Sequence, residues 1–88
     1  MIPRPVEITV KLFATLRDFL PEDAKFHAFK VEVSADDSPQ EVLDRFNVPR
    51  AMSHLVLLNG VYLSLTEREK ALFRDGDTLS VWPPVAGG

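Results

Sequence analysis

The residues best suited to chemistry stand together in the final stretch, Trp82-Pro83-Pro84-Val85-Ala86-Gly87-Gly88. Two prolines directly after a strand-like run have a fixed φ and no N–H, so they end a hydrogen-bonded ladder and hold the chain extended. Everything after them is small and uncharged, and from Pro84 to Gly88 an extended chain reaches roughly 16 Å. A terminal carboxylate titrates at about 3.3–3.7, so near neutral pH it is ionised and a poor electrophile. It becomes an acyl donor only after activation, normally by adenylation. The sequence has no glycine-rich phosphate loop with which to do this itself. The expected chemistry is therefore activation of the Gly88 carboxylate by a partner. Gly87 and Gly88, lacking side chains, let the backbone thread a narrow channel to that partner's nucleotide.

Other candidates are weaker. His27 and His54 are the only side chains that ordinarily titrate near neutral pH, and neither has a carboxylate at ligand spacing. Asp36-Asp37 precedes a helix start, and Asp75 and Asp77 flank a turn glycine, so capping and turn chemistry account for both pairs. Glu67-Arg68-Glu69-Lys70 reads as a solvated face. There is no cysteine, which excludes disulfides, thiolate metal sites and sulfur carried as a persulfide on the chain. No hydrolase triad motif or zinc spacing is present. The body of the chain does not read as an enzyme.

The elements that must position this tail fit one domain of 88 residues. Val6 to Phe13 alternates as a half-buried strand with Val6, Ile8, Val10 and Leu12 on one face. Ala14 to Leu20 shifts to helical spacing and stops at Pro21. Phe26 to Val33 reads as a second strand, with His27 on its polar face. Ser38, Pro39 and Glu41 form a helix start of the capping-box kind, and Val42, Leu43 and Phe46 give that helix one apolar stripe over Pro39 to Phe46. Leu55 to Leu58 reads as a buried central strand, and Asn59-Gly60 as a hairpin turn into Val61 to Leu63. Thr66 to Phe73 reads as a helical turn, and Thr78 to Trp82 as the last strand. One helix and several strands imply a compact α+β roll, with the first and last strands paired at the centre. Trp82 falls opposite in parity to Leu79 and Val81, which favours an exposed docking anchor over the alternative of a core residue. Phe13 has the same parity on its own strand and joins that patch.

The pieces LFATLRDFL, LVLLNG and DGDTLSVWPPVAGG, in this order, resemble the MoaD/ThiS-type ubiquitin-like sulfur carriers, and within them the molybdopterin synthase small subunit. The resemblance covers nearly the whole chain. It implies a β-grasp (ubiquitin-like) roll, a mixed sheet of four to five strands with one main helix on one face. The domain would span residues 1–83, followed by a flexible diglycine tail over 84–88. It further implies that a ubiquitin-activating-type adenylyltransferase uses ATP on the Gly88 carboxylate, and that a sulfur donor then converts it to a thiocarboxylate. That sulfur would pass to an acceptor enzyme, foremost the large subunit of molybdopterin synthase, into which Trp82, Pro83, Pro84, Val85 and Ala86 lead the tail. On this reading the chain is a carrier and co-substrate and binds no cofactor of its own. Val81 departs from the pair of aromatics that molybdopterin-branch members often carry before Pro-Pro. Carriers for tungsten cofactor, thiamine or cysteine synthesis, and protein modifiers forming isopeptide bonds through Gly88, share the same tail logic. A docking domain whose tail is never activated is the third class.

The net charge of −3 comes without a basic stripe, so nucleic acid is not an expected partner. The longest apolar run, Leu55 to Leu58, is far short of a membrane span, and MIPRPVEITV lacks the apolar stretch of a signal peptide. The cytoplasm is the expected location.

Overall fold

Alternation builds the first strand, β1 (Pro5–Leu12), whose Val6, Ile8, Val10 and Leu12 are all buried on one face. The structure is a computed structural model describing residues 4–22 and 24–84. Val85, Ala86, Gly87 and Gly88, and with them most of the expected tail, lie outside the described residues. β1 pairs antiparallel with β2 (Ala28–Ser34) and parallel with β5 (Thr78–Trp82). On its other side β5 pairs antiparallel with β3 (Leu55–Leu58), which pairs with the two-residue β4 (Val61–Tyr62). The order is β2-β1-β5-β3-β4, so the first and last strands do meet inside the sheet.

The helix α1 (Pro39–Arg45) begins as its sequence dictates. Glu41 N–H donates to Ser38 Oγ at 3.2 Å, Ser38 N–H donates to Glu41 Oε1 at 3.4 Å, and Pro39 occupies the first turn, where no N–H is needed. Val42 and Leu43 are fully buried in the cluster that includes Ile8, Val10, Leu12, Val56, Leu79 and Val81. Phe46 meets Phe29 edge-on at 4.8 Å. The turn at Asn59-Gly60 has both residues at positive φ, 51° and 83°, as a tight hairpin requires. The Asn59 side chain accepts from Thr78 N–H at 2.8 Å and donates to Asp77 Oδ1 at 2.9 Å, which ties this hairpin to the start of β5. Asp75 Oδ1 accepts from Glu7 N–H at 2.8 Å, so the second turn is fastened to β1. A mixed five-stranded sheet with one capped helix on one face is the β-grasp arrangement.

Three expectations are corrected. The second strand starts at Ala28, not at Phe26. Lys25 and Ala28 exchange two backbone hydrogen bonds of 2.9 Å, and Phe26 and His27 form the turn between them at φ 53° and 66°. His27 therefore sits on a turn and not on a strand's polar face. Pairing β2 in register with β1 needs a reversal here, and side-chain alternation alone does not reveal it. Second, β3 is not a buried central strand. It lies between β5 and β4, and only Val56 is buried, because α1 covers one face of the sheet and leaves Leu55 and Leu57 on the other. Third, the charged run after Thr66 forms a short 3-10 turn (Glu67–Glu69), and one member of it, Arg68, is buried.

Candidate functional site

β5 ends at Trp82, and from there the chain enters Pro83-Pro84. Leu79 and Val81 point into the core, so alternation puts Trp82 on the uncovered face, where it is half-buried. Register sets Val81 beside Leu12 of β1 and Trp82 beside Leu55 of β3. Phe13, one residue past β1, shares the parity of Trp82, and their rings stack with centroids 4.4 Å apart and planes at 4°. His27 stacks on Phe13 in turn, at 5.8 Å and 24°. The backbone fixes this corner. Phe13 N–H donates to the Val81 carbonyl at 3.1 Å, Leu12 N–H to the His27 carbonyl at 2.9 Å, and His54 N–H to the Trp82 carbonyl at 3.1 Å. Four segments distant in sequence thus converge on the base of the tail.

Beside the stack runs a largely apolar groove of about 450 Å³, lined by Ala14, Thr15, His54, Leu55, Trp82, Pro83 and Pro84. Ala14 adopts φ 53°, an uncommon conformation for a residue with a Cβ, where the chain swings from β1 into the 3-10 turn Ala14–Phe19. On the same open face Leu57 pairs with Tyr62, which is 53% exposed, and this extends the apolar strip across β3 to β4. A partly exposed aromatic and aliphatic strip of this kind, on a sheet face that no helix covers, marks a protein contact. Among the described residues no group of three or more His, Cys, Asp or Glu stands close enough to hold a metal ion. Nor, among them, is any helix long and apolar enough to cross a membrane.

Of the residues singled out in the sequence, Phe13, Trp82, Pro83 and Pro84 are brought to one corner. Val85, Ala86, Gly87 and Gly88 belong to the undescribed end. Sequence reasoning missed Ala14, Thr15, His54 and Leu55 as groove walls. Leu55 could have been found from the pairing of its strand with β5. His54 carries no local signal of its place.

Residues 5–87 match the family described as Mut7-C ubiquitin. The chain belongs to this family. The chain is also similar to the molybdopterin synthase sulfur carrier subunit of Drosophila ananassae, with 28% identity over 83 residues, 94% of this chain and 92% of that one. Among solved structures it is similar to the Haloferax volcanii HVO 2177 protein, with a TM-score of 0.72 and 26% identity over 96% of this chain and 88% of that one. It is similar as well to SAMP1 of Haloferax volcanii, with a TM-score of 0.65 and 25% identity over 93% and 99% of the two chains. The Mut7-C ubiquitin match includes Phe13, Trp82, both prolines and Gly87. The aromatic corner and the root of the tail are therefore parts of the domain that defines this family member.

Proposed function

We propose that this chain is a sulfur carrier whose working group is the Gly88 carboxylate. A partner adenylyltransferase brings ATP, the carboxylate oxygen attacks the α-phosphorus, and pyrophosphate leaves. Hydrosulfide supplied by a sulfur donor then attacks the acyl carbon, the C–S bond forming as the C–O bond to AMP breaks, and the carrier is left as a thiocarboxylate. The acceptor favoured by the similarity to a molybdopterin synthase sulfur carrier subunit is a molybdopterin precursor held by a larger subunit. The observation that carries this reading is the site at the end of β5. The chain leaves an inner strand through Pro83-Pro84, beside an apolar aromatic strip. Such a site docks a partner and presents a tail. The partners' sites then do the chemistry, which makes the chain a co-substrate. It binds no cofactor of its own, and the aromatic corner of Phe13 and Trp82 supplies the docking anchor.

The test is intact-mass spectrometry after incubation with a cognate activating enzyme, ATP and a sulfur source. An oxygen-to-sulfur mass shift that maps to Gly88 and vanishes on its deletion is expected. Neither adenylate nor thiocarboxylate with several activating enzymes would sink the reading. A protein modifier is the second reading, favoured by the likeness to SAMP1, whose name marks it as a modifier. It requires the same adenylation but yields conjugates on lysines of other proteins, which appear as higher-mass species on a gel.

A further inference from the structure

Arg68 is only 3% exposed, yet it forms no ion pair among the described residues. A buried cation without a counter-ion is costly unless dipoles compensate it. Here three backbone carbonyls do so. Arg68 Nε donates to Leu63 O at 3.2 Å, Nη1 to Ser53 O at 2.8 Å and Nη2 to His54 O at 3.1 Å. The first of these is local. The other two reach back to the loop that leads into β3.

The Ser53 carbonyl and the His54 N–H belong to one peptide group. Arg68 grips its oxygen, and its N–H donates to the Trp82 carbonyl at 3.1 Å. A charged donor on the carbonyl polarises the peptide and strengthens the N–H on its far side. The guanidinium is thus one peptide plane away from the carbonyl that immediately precedes Pro83. Pro83 and Pro84 have no N–H to add, so this bond is the last that β5 makes toward β3 among the described residues. The geometry points to Arg68 as a positioning residue for the tail: through the Ser53–His54 peptide it fixes the Trp82 carbonyl and the direction in which Pro83-Pro84 leave the sheet. The use of that positioning rests on the carrier reading, because a tail that enters a partner's channel binds better when its base is already oriented.

The full chain allows a direct test, since Trp82 is its single tryptophan and sits at the tail's base. In R68M, Trp82 emission shifts to the red and acrylamide quenches it more strongly. Exchange of the His54 amide speeds up by roughly ten-fold or more, as loss of a charged hydrogen-bond partner implies. The Thr9 amide, bonded to Asp77 O at the opposite end of β5, keeps its wild-type rate. R68K, which keeps the charge but not the fork, restores part of both signals. With an activating enzyme, R68M raises KM for the carrier several-fold and leaves kcat for adenylation near wild type. If R68M or R68K lowers Tm but leaves Trp82 emission and His54 exchange unchanged, Arg68 merely props the Glu67–Glu69 turn and the inference is overturned. Should R68M not fold, R68K carries the same two readouts, with a partial shift expected in each. Absence of adenylation of the wild-type chain would remove the carrier reading, and the fluorescence and exchange results would still decide the role of Arg68.

Discussion

Phe13 and Trp82 lie nearly face to face across the end of the β1–β5 pair, with His27 closing the outer side of Phe13. A stacked aromatic pair contributes about 0.5–1.5 kcal/mol beyond its burial. F13A is therefore expected to lower stability modestly in urea denaturation and to change Trp82 emission. Under the proposed carrier function its larger effect is expected on affinity for an activating enzyme, where loss of an aromatic anchor costs roughly 2 kcal/mol or more, measured by calorimetric titration. A different residue-scale effect concerns acid. Hydrogen bonds from Arg50 and, less strongly, from Gln40 hold the Asp44 carboxyl below the usual carboxylate range. Bonds from Ser64 lower Glu67 in the same direction. Both groups bind protons more weakly folded than unfolded, so their stabilisation is complete above the unfolded values and is lost as pH falls below about 4. Replacing Asp44 with Asn is expected to flatten this acid slope in a pH series of denaturation curves. The change will be small, because the Asp44–Arg50 pair is exposed.

At the scale of elements, α1 is only seven residues long and depends on its cap and its buried face. S38A removes the acceptor for Glu41 N–H and is expected to cost about 1 kcal/mol. That corresponds to a fall in Tm of about 4–8 °C for a domain of this size, readable by circular dichroism. This helix was legible in the sequence because Ser38, Pro39 and Glu41 act through near neighbours. The same holds for the turns at Asn59-Gly60 and Asp75-Gly76-Asp77, and for the alternation of β1 and β5. The central pairing of the first and last strands followed from those two clean patterns. What was illegible depends on partners distant in the chain. Arg68 sits among charged neighbours that point to solvent, and its burial comes from carbonyls 14 and 15 residues away. Leu55 to Leu58 is apolar throughout, so its composition gives no sign of which face the helix leaves open. The Phe26-His27 turn has none of the glycine, proline, asparagine, aspartate or serine residues by which turns are ordinarily read. At the site, the parity of Phe13 and Trp82 was readable, whereas the groove walls from Ala14 to Thr15 and from His54 to Leu55 required the fold.

For the molecule as a whole, one core carries both the fold and the platform for the tail. Leu79 is fully buried on β5, between the partner strands β1 and β3. L79A is expected to cost about 2–5 kcal/mol, a large fraction of the roughly 5–15 kcal/mol that holds a small domain together. Its urea midpoint is expected to fall sharply, and the Trp82 signal to be lost in the same transition as the helical signal. The parallel register of β1 with β5, from Thr9 beside Thr78 to Leu12 beside Val81, has a further consequence. Traction applied to the tail, with the start of β1 held, runs along both strands in opposite senses. It loads their ladder in shear, so several hydrogen bonds must yield together instead of opening one by one. Single-molecule stretching between residue 4 and the tail is expected to require more force than stretching between residue 4 and Gly60, where β3 and β4 can peel away from the edge. Under the proposed carrier function, in which successive enzymes take hold of that end, this geometry lets the chain be tugged there without unravelling.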